Sequence, residues 1–200
     1  MNKGTLGGWA KSSPSEYLLR EENVGGGSSI ITFDNIPQRF QDLRFTFALR
    51  SNVAAVSDTI QLHVNGDLGA SYSTQDLNAQ GAVATAAESL NTSSPVLLVI
   101  AGDTAPAGSY AMGEIKIPYY SSPTAGMKHA MAQWATRNNT TTGETELYIR
   151  AAVYHPTATV PRQSWNRIEL SLVTGTQFMP GSIITMYGSG RISPSLTAGP

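Results

Sequence analysis

Two glutamates, Glu144 and Glu146, stand two positions apart at the start of a β-compatible run, Thr145 to Val153. On a strand, side chains at i and i+2 share one face roughly 7 Å apart, a separation at which paired carboxylates can cleave a glycosidic bond as acid and base. Exposed acidic pairs of this spacing are also common on sheet surfaces, and no aromatic platform or inward polar cluster accompanies this one. His63, His129 and His155 are scattered, and none has a second His, Asp or Glu at metal-ligand spacing on its own element. His63 and His129 are expected on the polar faces of strands. Asp58, Asp67 and Asp76 could offer hard oxygen ligands, but they lack the spacing of a calcium loop, and Asp67 is accounted for by the turn Asn65-Gly66-Asp67.

The remaining chemistries are absent by residue type or motif. The chain has no cysteine, which excludes disulfides, thiolate metal sites and cysteine nucleophiles. No Gly-x-Ser-x-Gly elbow is present to expose an activated serine. Gly25-Gly26-Gly27 leads into Ser28-Ser29 and a strand instead of Lys and a helix, so it reads as a hinge and not as a phosphate cradle. Among the aromatics, Trp134 and Trp165 fall in strand patterns and are expected in the core. Trp9, Tyr119 and Tyr120 are the candidate partner or glycan contacts: Tyr119-Tyr120 follows Ile117-Pro118 at a strand end, so at least one ring must face away from the core. No catalytic residue, cofactor or metal is expected, and the chain reads as a non-enzyme.

The elements around these residues are strands. Leu43, Phe45, Phe47 and Leu49 alternate with polar or small residues, the mark of a half-buried strand, and Ile60-Gln61-Leu62-His63-Val64 repeats the pattern before an Asn-Gly reversal. Ser29–Phe33 ends at Asp34-Asn35-Ile36-Pro37, where proline stops the ladder. Further strands are expected at 95–100, 112–117, 127–135, 145–153, 165–173 and 183–187, with a short one at Tyr17-Leu18-Leu19. Ser73 to Ser94 shows no apolar stripe and is expected to be a loop, with at most a weak helix over 82–90. Short strands separated by Gly, Pro, Asn and Ser clusters predict an all-β fold: an antiparallel jelly-roll β-sandwich of about ten strands with extended terminal arms. The expected division is an N-terminal arm over 1–29, one jelly-roll domain over 30–188 and a C-terminal tail over 189–200.

Composition narrows the partners. Charged residues make up 14% of the 200 and the formal net charge is −1, against about 25% charged in an ordinary domain. Such a chain lacks the basic footprint of a nucleic-acid binder, and it has neither a polybasic arm nor an apolar run of about 18 residues for a membrane. The residues following Met1 lack a signal-peptide core, so synthesis in the cytoplasm is expected.

Four segments carry a resemblance. These are Ile31-Thr32-Phe33-Asp34-Asn35-Ile36-Pro37-Gln38-Arg39-Phe40-Gln41-Asp42-Leu43, then Leu62-His63-Val64-Asn65-Gly66-Asp67-Leu68-Gly69-Ala70-Ser71-Tyr72-Ser73, then Gly113-Glu114-Ile115-Lys116-Ile117-Pro118-Tyr119, and Phe178-Met179-Pro180-Gly181-Ser182-Ile183-Ile184-Thr185-Met186-Tyr187-Gly188. In this order, from about Ile31 to Gly188, they resemble a family of small virion jelly-roll proteins of tailed bacteriophages, found among capsid and tail components. The resemblance implies a virion structural protein, made in the host cytoplasm and displayed as a capsid decoration or a fibre-type component. It also implies other virion proteins as partners and a homo-oligomer, by analogy a homotrimer. The alternative role it implies is a receptor-binding tail or fibre module for host surface glycan, with loops 73–94 and 138–142 as ligand surfaces. The Gly-rich N-terminal arm and the extension beyond Gly188 depart from the family pattern.

Overall fold

The computed structural model describes residues 16–123, 127–137, 145–155 and 163–191. Among them the fold is all-β and contains twelve strands: β1 Glu16–Asn23, β2 Ile30–Phe33, β3 Phe40–Leu49, β4 Ser57–Val64, β5 Tyr72–Gln80, β6 Val83–Thr92, β7 Val96–Ala101, β8 Ala111–Ile117, β9 Lys128–Thr136, β10 Glu146–Tyr154, β11 Ile168–Leu172 and β12 Ile183–Arg191. Two antiparallel sheets form a β-sandwich, with order β1-β12-β3-β8-β9-β10-β5-β6 in the large sheet and β2-β11-β4-β7 in the small one.

Alternation explains the core. Leu43, Phe45, Phe47 and Leu49 of β3 are all buried, facing Ile60, Leu62 and Val64 of β4 and Leu97, Leu98 and Ile100 of β7. Phe33 meets Phe45 edge-on at 5.1 Å between ring centroids, a favoured aromatic geometry. Trp134 and Trp165 are both buried, Trp134 within β9 as expected and Trp165 in the irregular segment before β11, which begins at Ile168 and not at 165. Trp134 stacks on Tyr148 at 4.7 Å and donates its indole N–H to the Val99 carbonyl at 2.8 Å, which ties the two sheets together.

Three expectations change. Glu16–Asn23 is a full edge strand paired with β12, so the arm assigned to 1–29 contributes its second half to the large sheet. The C-terminal strand runs on to Arg191, past the tail boundary placed at 189. The segment 73–94 is no loop: Tyr72 to Thr92 is a β-hairpin, closed by Gly81-Ala82 between Gln80 and Val83. Gly81 has φ 56°, which a type II′ turn requires at its first central residue.

The Asn65-Gly66 turn forms as its residue types demand, with φ of 52° and 75°. It serves as a corner between sheets, because β4 pairs with β11 and β7 while the next strand, β5, pairs with β10 and β6. The Asn65 side chain then clamps the approach to β11, donating to the Ser164 carbonyl and accepting from the amides of Asn166 and Arg167.

Candidate interaction surfaces

The side chains that could do chemistry are held apart, and most are spent on structure. Glu146 is buried and accepts from Gln80 Nε2 at 2.8 Å and from the Tyr148 hydroxyl at 2.6 Å. Burial, with the Glu146 carboxylate beside it, pushes the Tyr148 hydroxyl well above the ordinary tyrosine range. Glu144, its proposed partner, lies outside the described residues. Asp58 accepts from the amides of Thr59, Thr174 and Gly175. Asp67 accepts from the Gly69 amide and the Tyr154 hydroxyl, and Asp76 from Arg150 at 2.7 Å. No group of three His, Asp or Glu side chains suited to a metal ion occurs among the described residues.

The histidines are as scattered in space as in sequence. His129 is exposed on β9, as expected of a polar strand face. His63 departs from that expectation: it is buried, edge-on to Tyr72 at 6.0 Å, with Nε2 3.1 Å from the Ser93 carbonyl. His155 pairs with the Ser73 hydroxyl at 2.9 Å.

Two buried cations act as staples. Arg50, at the end of β3, reaches four backbone carbonyls of one loop: Asp103 at 2.9 Å, Ala105 at 3.1 Å, Pro106 at 3.1 Å and Ser109 at 3.3 Å. Lys128, at the start of β9, donates from Nζ to the carbonyls of Tyr120 at 2.8 Å and Gln163 at 2.7 Å. It forms no ion pair among the described residues, and burial lowers its pKa from the usual lysine value to about 8.

The aromatic candidates separate. Tyr119 is exposed at the turn after β8, with φ 53° and its amide donating to Asp42 Oδ1. Tyr120 is withdrawn as a surface contact. Its ring is fully buried and its hydroxyl donates to the Pro37 carbonyl, with burial pushing the phenol up to about 12. The chain turns at Tyr119, which leaves its ring in solvent and the Tyr120 ring in the core. Trp9 lies outside the described residues.

The outer face of the large sheet divides in two. On β1, β3 and β8 it is ionic: Arg44 grips Glu16 through Nε at 2.7 Å and Nη2 at 2.6 Å, and Lys116 meets Glu114 at 2.7 Å. The Arg44 guanidinium holds Glu16 below the usual carboxylate range, and Lys116 does the same for Glu114. From β9 onward apolar side chains enter the face and share it with His129, Gln133, Gln75 and Glu88. One cross-strand row reads Met112, Ala135, Leu147, Ala79, Ala84, and the next ends Ile149, Leu77, Ala86. Leu147, Leu77 and Met131 are each about half exposed, at 54%, 50% and 53%. Contiguous apolar area on a sheet face is the signature of a surface that is covered in use.

The β5–β6 hairpin carries this face past the cover of the small sheet. Its partner layer ends at β7, which packs across β8, β9 and β10, and nine of the ten β6 residues are exposed. Beneath the hairpin lies an open groove of about 250 Å³ with a mixed lining, in which Thr74, Asp76, Ser89 and Arg150 stand beside Ala87 and Val96. Tyr119 does not line it. Among the described residues no helix is long and apolar enough to cross a membrane. In comparison with known proteins, no family model, curated protein or solved structure matches the chain.

Proposed function

We propose that this chain is a non-enzymatic assembly protein: a bacteriophage virion structural component, displayed on the particle as a capsid decoration or fibre-type element and working as a homo-oligomer. One observation carries the assembly part of the reading. Glu146, Asp58, Asp67, Asp76, His63, His155, Arg50 and Lys128 are occupied in internal bonds, while the outer face of the large sheet carries half-exposed apolar side chains such as Leu147, Leu77 and Met131. A surface of that kind binds by complementarity over area and performs no bond chemistry. The virion part rests on the four resembling segments. Mass spectrometry of density-purified particles from the source tests it: the protein at stoichiometry with capsid or tail proteins supports the reading, and its absence from the particles overturns it.

A second reading is favoured by the groove beneath the hairpin. Its hydroxyls and the Asp76–Arg150 ion pair, set against apolar walls at Ala87 and Val96, form a shallow site of the type that takes a saccharide through hydrogen bonds and ring contact. A receptor-binding module would retain host surface polysaccharide on a glycan array, and Asp76→Ala would abolish that retention.

A further inference from the structure

The four sheet edges are not treated alike. At the edge of the large sheet, β1 carries Arg20, Glu21 and Glu22 and a bulge between Leu18 and Arg20. The β2 edge of the small sheet is four residues long, and β7 at the other edge carries a register break against β4 and packs on the large sheet. Charges, bulges, shortness and cover are the devices that stop an edge from pairing. β6 has none of them over its regular stretch, Val83 to Ser89: it is long, exposed on both faces, free of Pro and Lys, and holds one charge, Glu88.

We infer that β6 pairs edge to edge with β6 of a second copy, antiparallel about a two-fold axis, joining two eight-stranded sheets into one. The register follows from the hairpin. The turn closes on Gln80 and Val83, so the amides of Val83, Thr85 and Ala87 point to β5 and those of Ala84, Ala86 and Glu88 point to the open edge. Of the registers that bring these outward amides together, the one that pairs all three puts the two-fold at Ala86, which faces the partner's Ala86, with Ala84 opposite the partner's Glu88 on both sides of the axis. Three such pairs supply about six backbone hydrogen bonds. The two glutamates are kept apart, each facing an alanine, so no like charges lie opposite one another. The apolar row through Ile149, Leu77 and Ala86 runs on into the second copy, while the row through Leu147, Ala79 and Ala84 ends on the partner's Glu88. A strand from an unrelated protein would gain the same backbone bonds but not this charge spacing and row continuity, which is why a second copy is the occupant.

The contact does not depend on the virion reading, and it is separate from the three-fold symmetry implied by the resemblance. Two variants of the full chain test it, with circular dichroism as the folding control. Ala86→Lys sets two ammonium groups across the axis and is expected to weaken association at least about tenfold. Ala86→Cys places two thiols at a Cα separation of about 5.5 Å, inside the disulfide range, in a protein with no other cysteine. Sedimentation velocity and native mass spectrometry at micromolar to sub-millimolar concentration should give a dimer for the unsubstituted chain. Ala86→Lys should give a folded monomer, and Ala86→Cys a covalent dimer forming faster than in a Val173→Cys control. A folded monomer for the unsubstituted chain, a trimer unaffected by Ala86→Lys, or equal cross-linking at both cysteine sites overturns the inference.

Discussion

Replacing Arg50 by methionine removes the densest buried polar contact in the sandwich. The guanidinium donates to four carbonyls between Asp103 and Ser109, is 7% exposed, and among the described residues its Nε makes no hydrogen bond. Each hydrogen bond to a charged donor is worth about 1.5–3 kcal/mol net. The four cannot simply be added, because one side chain makes them all and part of the 103–109 loop is solvent-exposed, so some carbonyls regain water after truncation. The loss expected is about 3–5 kcal/mol, the range for breaking a buried charged contact. In a chain of this length, about 2–4 °C is lost per kcal/mol, so the thermal midpoint should fall by about 6–20 °C. Arg50→Lys keeps the charge but cannot reach all four acceptors, and it should fall between the two. Urea denaturation and calorimetry read both variants. A loss for Arg50→Met of under about 1 kcal/mol, or an Arg50→Lys variant as stable as the unsubstituted chain, would refute the staple.

Other outcomes follow from the same packing. Gly113→Ala should cost about 3 kcal/mol or prevent folding, because a Cβ there would lie 2.2 Å from the Gln133 carbonyl oxygen and 2.4 Å from Trp134 Cβ; a normal urea midpoint would contradict the register of β8 on β9. Glu146→Gln should lower stability by about 1–2 kcal/mol and change no polysaccharide-cleaving activity; loss of a measurable cleavage at unchanged stability would revive the acid-pair reading. Lys128 sets a pH dependence. Its folded pKa of about 8 lies below the ordinary 10.5, so the unfolded chain binds more protons between those values. Stability from this group is therefore full above about 10.5 and is lost as pH falls toward 8. The change is at most about 3 kcal/mol, since the two carbonyl bonds favour the charged form and oppose the desolvation. Lys128→Met should remove that part of the slope in denaturation measured from pH 7 to 10, and an unchanged slope would contradict it.

Much of the fold is written in strand alternation, and the places where sequence reading fails have a physical cause. β3, β4, β8, β9 and β10 each bury one face, so selection for a core imprints period two on them. The β5–β6 hairpin projects past its covering sheet, so neither face of β6 is buried and Val83-Ala84-Thr85-Ala86-Ala87-Glu88 carries no stripe to read. The one local signal there was Gly81 after Gln80, a type II′ turn cue that becomes persuasive only between recognised strands. Tyr120 differs for a related reason: the strand-end position of Tyr119-Tyr120 requires at least one ring to face away from the core, and only the turn at Tyr119 shows that Tyr120 is the ring that is buried. The buried roles of His63, Lys128 and Arg50 depend on carbonyls far along the chain and leave no mark at local spacing. Glu144, Trp9 and the 138–142 loop lie outside the described residues.

Cryo-electron microscopy of intact particles from the source tests the central claim most directly. Density for this β-sandwich repeating over capsomers or along the tail, with the outer face of β9, β10 and β5 covered by a neighbour, is the result expected. Particles complete at side-chain resolution with no density for the chain, or with that apolar face open to solvent in every copy, would contradict an assembly role.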